Sequence, residues 1–493
     1  MARPTLNWDS CCAMTEITAN RISPRVNPRH LQQYSYSVEE LQDMVVKFAA
    51  WLEKAGYASY DPYDIWGTRY GRWARRLYYA KNPLGVALTA PVILMEMICP
   101  WSRALFVKKD RFPTADAQLV LAFLNLHEAS RGPGGRKTGD GRQNKSHGQR
   151  MKDGQEQTTD VKSARADDDR PSNTNHQPST VWLAKAKELA EELLGCSIRG
   201  YSGYCWGYPF DWQNVNGLMR KYTPHITATP YCFEAFLKLF DLTGEARYLE
   251  IARSVVTFVF NDLKDTPTGE NAAASSYSPF DRGKVVNASA YKAFVLFEAA
   301  RRFGLEDYAD KAWRNLRFIL QSQRPDGSWL YAIDQPGEGF IDHFHTCFVL
   351  KNLYKINVRL TDATVRQAIE NGYAYYLREL FDQDGLPKSF AIQPRMQISR
   401  LEMYNVAEAI NLGALLRDYI PEAFAMAQRL ASVVRTRFQL RQGYFVTRRY
   451  IGGLKHTLPF LRWPQAQMFY AVTNLLVAMS QMNNKCLESA SPV

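Results

Sequence analysis

The chain has 493 residues, of which 46% are hydrophobic and 13% aromatic, enough to bury a large core. Its formal charge of +12 indicates an anionic partner, such as an acidic glycan, a phosphate-bearing substrate or a membrane surface. No helix-turn-helix, RNA-binding aromatic motif or zinc-finger spacing occurs, so nucleic acid is excluded as the partner. The eight cysteines form no CxxC pair, which indicates free thiols in a reducing compartment. Because the N-terminus lacks the apolar core of a secretory signal, we expect a cytoplasmic protein.

The N-terminal part of the chain is predicted to begin with a tail and then turn helical. Residues 1–36 have no apolar period and are expected to be disordered. A helix is predicted over Val38–Leu52, with Ser37 as its N-cap and Glu40 completing a capping box. Leu84–Cys99 is the most apolar run, yet it is shorter than the roughly 20 residues that a membrane-spanning helix needs. We expect a core segment there; the alternative is a peripheral contact with the membrane, aided by basic flanks.

The middle of the chain contains a polar stretch that interrupts the helices. Ala115–Glu128 is predicted to be a helix. Residues 130–180 then contain almost no large apolar side chain, so they cannot bury enough surface to offset the entropy of ordering. We expect a disordered insertion within a single domain that spans residues 37–482, because helices resume at Trp182. Residues 483–493 are expected to form a C-terminal tail.

Two kinds of helix alternate in the remainder of the chain. Helices with one apolar face are predicted over Trp182–Leu194, Tyr248–Leu263, Tyr308–Gln321, Val365–Leu380 and Glu422–Phe438. Helices that are apolar on most sides are predicted over Thr227–Leu242, Val286–Phe303, Asp342–Ile356, Arg400–Tyr419 and Pro464–Ser480. An outer ring of half-exposed helices around an inner ring of enclosed helices satisfies both patterns. The sequence therefore predicts an all-α fold, an α/α toroid or six-hairpin barrel with a disordered insertion, whose sixth pair comes from the N-terminal helices.

Glycines at predicted turns give the chain a long internal period. Gly327, Gly385 and Gly443 are spaced 58 residues apart, and Gly269 lies 58 residues before Gly327. A period of this size is typical of repeated helix pairs, in which each pair buries its apolar face against the next. The repeat thus supports the toroid independently of the hydrophobic pattern.

Two short motifs resemble known toroid proteins. QRPDGSW at 323–329 matches the Q-x3-G-x-W pattern of squalene and terpenoid cyclase repeats, and LTGEARYLEIA at 242–252 is similar to a phrase common in six-hairpin (α/α)6 proteins. The stretch from about 38 to 482 resembles bacterial toroid proteins of the six-hairpin glycosidase or terpenoid cyclase and prenyltransferase-like type, which are associated with exopolysaccharide synthesis. The segments GYCWGYPFDW and IDHFHT contribute most to this resemblance. It implies the fold, whereas the fold itself hosts hydrolases, lyases, epimerases, cyclases and prenyltransferases.

The sequence departs from the triterpene cyclases at their functional motifs. The DxDD acid motif is absent, and the acidic triplet Asp167-Asp168-Asp169 lies in the predicted insertion. A DDxxD diphosphate motif is also absent, and a complete Q-x3-G-x-W occurs once. A cyclase reaction of that type is therefore not expected.

Polar and aromatic residues precede each predicted inner helix. In a toroid these positions converge on one mouth, where helix N-termini favour anionic groups. The candidate catalytic residues are Asp342, His343, His345, Asp211, Glu402 and Tyr404. The candidate substrate-binding residues are Trp206, Tyr208, Trp212, His225, Asn287, Asn405, Arg462, Trp463 and Gln467. Rings beside carboxylates, amides and arginines suit sugars, because sugar faces stack on rings while hydroxyls need donors and acceptors.

Several of these candidates also have a structural interpretation. Asp342 could serve only as a helix N-cap, and Glu402 fits a capping box with Ser399. Trp329 is better explained as a residue that packs the hairpin than as a sugar platform. We predict neither a metal nor another cofactor, since His343 and His345 are two residues apart and lack the i, i+4 spacing of helical metal ligands.

The predicted function is that of a carbohydrate-active protein of polysaccharide biosynthesis or modification, with an anionic glycan in its central cavity. Hydrolysis would need two carboxylates, Asp342 with Asp211 or Glu402. The alternatives are a non-catalytic toroid that binds a glycan or a lipid-linked intermediate, and an isoprenoid cyclase or prenyltransferase-like protein. Whether the chain is an enzyme stays open at this stage.

An epimerase or lyase acting on a uronic acid would need a different set of residues. His343 or His345 together with Tyr404 would move the proton, because a histidine has the right intrinsic pKa for this task. Arg462 and Asn287 would then stabilise the acidic group of the substrate.

Overall fold

The computed structural model describes residues 37–131, 179–334, 339–394 and 397–490. The predicted tail at 1–36 lies outside the described residues, as does nearly all of the predicted insertion at 130–180. The last helix extends to Ala490, into the stretch that we predicted as a C-terminal tail. The fold is all-α with a few short strands, as predicted.

Fourteen α-helices are present in these described ranges. They are α1 Val38–Ala55, α2 Arg69–Tyr79, α3 Pro83–Ile98, α4 Pro113–Ser130, α5 Ser179–Gly195, α6 Thr229–Thr243, α7 Ala246–Asn261, α8 Val286–Phe303, α9 Glu306–Gln321, α10 His343–Leu360, α11 Ala363–Glu379, α12 Met403–Leu415, α13 Pro421–Arg437 and α14 Ala466–Ala490. The predicted helices are confirmed, with most ends displaced by a few residues, and α14 ends ten residues beyond the predicted Ser480. Ser37 and Glu40 form the predicted capping box at the start of α1.

The even-numbered helices from α4 to α14 form a closed inner ring. Each packs on the next, and α14 packs back on α4. The outer helices α5, α7, α9, α11 and α13 each pack on a neighbouring inner helix, and α1 packs on α14. The N-terminal helices α1 and α4 thus supply the sixth outer helix and the sixth inner helix, as the sequence predicted, and the packing of α1 on α14 closes the toroid.

The turns after the outer helices repeat in geometry. Gly327, Gly385 and Gly443 follow α9, α11 and α13, and each has a positive φ of 91°, 65° and 104°. The amide of each glycine donates a 2.9 Å hydrogen bond to the carbonyl three residues earlier. A Cβ at Gly327 would stand 2.3 Å from the carbonyl oxygen of Asn371, so this turn needs glycine both for its φ and for the close packing on α11.

The starts of four of the six inner helices, α6, α8, α10 and α12, are hydrogen-bonded to the loop of the following hairpin. The amides of Ile226, Val286, His343 and Met403 donate to the carbonyls of Tyr277, Tyr331, Ser389 and Thr447, at 2.9–3.0 Å. Nine short strands occur in the described part of these loops: β1 Trp212–Asn214, β2 Gly217–Met219, β3 Asp265–Gly269, β4 Ala272–Ser275, β5 Ile341–Asp342, β6 Phe390–Ile392, β7 Ser399–Glu402, β8 Arg448–Tyr450 and β9 Lys455–His456. Pairing is antiparallel throughout, and β5 with β6 and β7 with β8 join neighbouring hairpins. These ties hold the inner-helix N-termini at one face.

The apolar run near the N-terminus differs from our expectation of a core segment. It forms α3, which packs against α2 as a hairpin outside the ring. The residues that α3 buries are Gly85, Thr89 and Glu96, while Leu84, Val86 and Leu94 are exposed. The expectation was wrong because hydropathy reports how apolar a segment is, not what it packs against. In the part of the chain that the structure describes, no helix has both the length and the apolar character to cross a membrane.

Candidate functional site

The inner-helix N-termini surround one large cavity, as predicted. The cavity measures about 1800 Å³, and residues at the starts of all six inner helices contribute to its wall. Nine of the predicted site residues line it: Tyr208, Trp212, Asp342, His345, Glu402, Tyr404, Asn405, Arg462 and Trp463. Residues that are 255 positions apart in the sequence therefore share one wall.

Asp342 and His345 form the most clearly arranged pair in the cavity. Asp342 is the N-cap of α10, and one of its carboxylate oxygens, Oδ1, accepts the backbone amide of His345 at 2.9 Å. The other oxygen, Oδ2, is 2.7 Å from Nδ1 of the same histidine. Asp342 is thus both a helix cap and the partner that orients an imidazole. The ring nitrogen Nε2 of His345 has no hydrogen-bond partner among the described residues.

Aromatic rings enclose the His345 imidazole. Its centroid lies 4.5 Å from that of Tyr331 and 4.2 Å from that of Phe344, and Phe340 and Phe348 stand within 6.3 Å. Because Nδ1 is held by Asp342, the ring presents its other edge to the space in which a ligand would lie. An imidazole fixed in this way by a carboxylate is the arrangement that general acid–base catalysis requires.

A flat aromatic surface stands on another part of the wall. The rings of Tyr404 and Trp463 are stacked with centroids 3.7 Å apart and planes 5° from parallel, and Phe344 meets Trp463 edge-on at 5.0 Å. Burial raises the pKa of the Tyr404 phenol, and the nearby Glu408 carboxylate raises it further. Tyr404 therefore stays protonated, and its buried ring supports the half-buried ring of Trp463, which is the more exposed of the two. Such surfaces suit the apolar face of a sugar.

Arg462 is held in place by a buried carboxylate. Its Nε and Nη2 donate to the two oxygens of Asp61 at 2.5 and 2.8 Å, and Nη1 is 3.3 Å from the hydroxyl of Tyr208. Asp61 is fully buried and Arg462 is 5% exposed. A bidentate pair of this kind fixes the guanidinium rigidly. Arg462 therefore orients Tyr208 and supports Trp463. The bidentate pair with Asp61 holds it back from a substrate.

Glu402 and Arg448 form a second charged pair in the wall. Arg448 Nε lies 3.4 Å from Glu402 Oε2, and both side chains keep some exposure to the cavity. Glu402 ends strand β7 and makes no capping hydrogen bond, so the expected capping box with Ser399 is wrong. Ser399 instead pairs with Tyr450 across the sheet, because the β7–β8 pairing takes the place of the predicted first turn of the helix. Arg448 is thus a cation that faces the cavity.

Three predicted site residues lie inside the protein and do not line the cavity. Trp206 is fully buried, with its indole nitrogen donating to the carbonyl of Leu193 at 2.8 Å. The His343 ring is buried behind the cavity wall, with Nε2 2.8 Å from the hydroxyl of Tyr376. Gln467 is buried between α14 and α4 against Gln118. In the same way Trp329 packs its hairpin, donating to the carbonyl of Ile319 at 2.9 Å.

Three further candidates lie just behind the wall. Asn287 is 1% exposed and lines a small side cavity together with Asp342 and His345, and neither polar atom of its amide has a partner within the described ranges. His225 is buried against Tyr208, with ring centroids 4.2 Å apart. Asp211 accepts from Arg72 at 2.8 Å and joins α2 to strand β1.

The burial of His343 leads to a testable pH dependence of stability. Desolvation lowers the pKa of His343 from 6.5 to about 3, so the folded protein keeps this ring neutral. Below about pH 6.5 the unfolded chain binds a proton there that the folded chain does not, so His343 lowers the unfolding free energy by about 1.4 kcal/mol for each further pH unit. Between about pH 6.5 and 5, we expect the unfolding free energy of His343→Gln, measured with urea, to decline less steeply than that of the wild type. Parallel declines would contradict this explanation.

Sequence reasoning missed several residues of the wall and of its support. The cavity is also lined by Tyr277, Tyr331, Phe344 and Arg448. Asp61 holds the wall residue Arg462 in place. Phe344 lies within the IDHFHT segment, so the segment as a whole could have been included. The role of Asp61 had no local signal, because its partner is 401 residues away. Across the described ranges, no group of three or more His, Cys, Asp or Glu side chains could hold a metal ion.

The fold is similar to solved structures of proteins that act on sugars. No protein-family profile and no curated protein sequence matches the chain. An unsaturated glucuronyl hydrolase specific for heparin aligns over 93% of this chain and 99% of its own, at 9% identity and a TM-score of 0.53. Cellobiose 2-epimerase from Bacillus thermoamylovorans aligns over 76% and 88%, at 10% identity and 0.51, and a sugar epimerase from a ruminal bacterium over 80% and 98%, at 12% and 0.50. The chain therefore has the same α/α-toroid fold as these structures.

Proposed function

We propose that the chain is an enzyme that moves a proton on a glycan bound in the central cavity, as an epimerase or a lyase does. The single observation that carries this proposal is the Asp342–His345 pair, with Nδ1 of the imidazole 2.7 Å from the carboxylate and the ring facing the cavity. Histidine is the side chain that most often serves as a general acid or base in enzymes.

In this mechanism Nε2 of His345 removes a proton from a sugar carbon next to a carbonyl or carboxylate group. The Asp342 carboxylate keeps the proton of the neutral imidazole on Nδ1 and stabilises the imidazolium that forms. Negative charge then develops on the substrate oxygen, and we assign Arg448, one of several cations in the wall, to stabilise it. In an epimerase, His345 releases the proton that it took, and a water molecule protonates the carbon from the other face. In a lyase, the electrons of the broken C–H bond form a C=C bond, and the substituent on the next carbon departs with the proton of the His345 imidazolium.

A hydrolase is less well supported by the same geometry. Both oxygens of Asp342 are engaged, one by the backbone of α10 and one by His345. Glu402 is paired with Arg448, and Asp211 lies behind the wall in an ion pair with Arg72. The other two carboxylates of the described cavity wall are also engaged: Glu96 pairs with Arg103, and Asp281 accepts the amides of Tyr277 and Gly283. The described wall therefore offers no unengaged carboxyl group to serve as the acid that glycoside hydrolysis needs.

The substrate class is a glycan, and we propose one with acidic groups from polysaccharide biosynthesis or modification. The stacked Tyr404–Trp463 surface suits a sugar face, and the arginines in the wall suit carboxylates or phosphates. The names of the similar toroids, two epimerases and a glucuronyl hydrolase, agree with a sugar substrate. The resemblance to exopolysaccharide proteins agrees with the biosynthetic role. We also propose that the protein associates peripherally with a membrane through residues 84–99.

A panel assay tests the reaction class. The protein is incubated with reducing disaccharides, oligouronides and sugar nucleotides, and the products are followed by NMR. We expect an epimer or an unsaturated sugar from one of these classes. New reducing ends without either product would favour hydrolysis, and binding without turnover would favour the non-catalytic toroid.

A further inference from the structure

Helix α3 distributes its side chains in the reverse of the usual pattern. Its buried residues are a glycine, a threonine and a glutamate: Gly85, Thr89 and Glu96. Five of its large apolar side chains, Leu84, Val86, Ile93, Leu94 and Ile98, are exposed, and the other four, Leu88, Val92, Met95 and Met97, are half-buried. A surface helix of a water-exposed domain normally buries its apolar stripe and exposes its polar one. The inverted arrangement indicates that something other than water covers the outer face of α3.

The exposed side chains continue past the end of the helix and form one apolar patch. Its members, with their exposed fractions, are Leu84 50%, Val86 58%, Ile93 38%, Leu94 51%, Ile98 72%, Trp101 54%, Leu105 81% and Phe106 58%. We call this set the α3 patch. A run of eight large apolar side chains exposed in one segment marks an interaction surface.

Polar contacts hold the α3 patch in this orientation. Glu96 pairs with Nη2 of Arg103 at 2.5 Å and lies 3.6 Å from Nε2 of His456 in strand β9. Arg103 is fully buried and also binds Asp64 and, at 2.8 Å, the carbonyl of Asp61. Because these buried charges can be compensated only in this orientation, rotating α3 to bury its apolar residues would leave them unpaired. These buried ion pairs therefore fix the outward orientation of the α3 patch.

The charge around the α3 patch identifies its partner. Residues 69–111 contain nine Lys and Arg but two Asp and Glu, a difference of +7 within a chain whose total is +12. Lys81 precedes α3, and the exposed Lys108 and Lys109 follow Phe106. A second copy of the chain, bound patch to patch by a two-fold axis, would bring like charges together. An anionic lipid surface accepts both the apolar side chains and the cations.

We propose that the α2–α3 hairpin docks the protein on the surface of a bilayer with anionic headgroups. The α3 patch enters the interface, Trp101 lies at headgroup level, and the flanking lysines contact the phosphates. The hairpin lies on the surface and does not cross it, since the 16 residues of α3 span about 24 Å and contain Pro91.

The same hairpin forms part of the cavity wall. Thr89 and Glu96, on the buried side of α3, line the cavity, and so do Val86 and Ile93 at the edge of the patch. Docking therefore brings the cavity mouth to the lipid surface. Together with the proposed function, the position of the mouth assigns a glycan anchored in the membrane as the substrate class. Only this step rests on the proposed function.

Vesicle sedimentation of the full chain tests the docking. We expect the wild type to sediment with vesicles of phosphatidylcholine and phosphatidylglycerol, and less with phosphatidylcholine alone. The triple variant Leu94→Glu/Ile98→Glu/Leu105→Glu removes three patch residues that do not line the cavity, and should lower vesicle binding by at least about tenfold. Val358→Glu is the matched control, because Val358 is a 42% exposed apolar residue near the far end of α10.

Several results would overturn the docking. One is a wild type that stays in the supernatant with both kinds of vesicle, and another is a triple variant that sediments like the wild type. A wild-type dimer that the triple variant abolishes, without vesicle binding, would show that the patch joins two copies. The melting temperature of each variant confirms folding, and Lys108→Glu/Lys109→Glu supplies a second variant that should also weaken binding. Since sedimentation needs no turnover, failure of the proposed function would leave this result unaffected.

Discussion

Replacing Asp342 by asparagine is expected to lower kcat/KM for the glycan by about a hundredfold or more, with little change in stability. Asparagine caps a helix about as well as aspartate, so the start of α10 should be kept. The neutral amide can neither stabilise a charged imidazolium nor hold the same tautomer of His345. His345→Gln removes the proton acceptor itself and should reduce kcat/KM at least as strongly.

Asp342→Ala is the control that separates the two roles of this carboxylate. It removes the cap as well as the charge, so it should also lower the unfolding free energy by about 0.5–2 kcal/mol. The kinetic assay and urea unfolding are measured on all three variants. If Asp342→Asn turned over the glycan at the wild-type rate and only Asp342→Ala were impaired, Asp342 would be a cap without a catalytic role.

Removing the carboxylate of Asp61 is expected to produce the largest loss of stability. Asp61→Leu leaves the Arg462 guanidinium, which is 5% exposed, without its bidentate partner. Breaking a buried ion pair by deleting one partner costs about 3–5 kcal/mol, because the remaining charge is uncompensated. Urea unfolding measures the change.

A double variant and a surface pair serve as controls for the Asp61 effect. Asp61→Leu/Arg462→Met removes both charges and should regain much of the loss, since two apolar side chains tolerate burial. Asp43→Ala breaks the exposed pair of Asp43 with Lys47 and should cost less than about 1 kcal/mol. Equal losses in the single and double Asp61 variants would contradict the buried-charge explanation.

The repeat and the helices could be predicted from the sequence because their causes are local. Gly327, Gly385 and Gly443 mark turns through their backbone freedom, and hydrophobic periodicity separated the inner helices from the outer ones. Given the ring, the convergence of inner-helix N-termini follows from geometry. Nine of the predicted site residues line the cavity for that reason.

The remaining features depend on contacts between distant parts of the chain. Asp61 meets Arg462 across 401 residues, and strand β8 rather than a helical turn determines the position of Glu402. The orientation of α3 is set by Glu96 and Arg103, two charges within an apolar stretch. His343 and His345 are only two residues apart, yet the first turn of α10 directs His343 into the core and His345 into the cavity.

Exchange of hydrogen with solvent is the most direct test of the proton-transfer mechanism. The protein is incubated in D2O with the sugar that the panel identifies, and the substrate is recovered and examined by NMR and mass spectrometry. If the product is an epimer, we expect the wild type to place deuterium on the carbon next to the carbonyl or carboxylate group, and His345→Gln to place none there. An epimer without deuterium on that carbon, or full exchange by His345→Gln, would contradict the assignment of His345 as the base. If the product is an unsaturated sugar, which keeps no hydrogen on that carbon, its formation by His345→Gln at the wild-type rate would contradict the assignment.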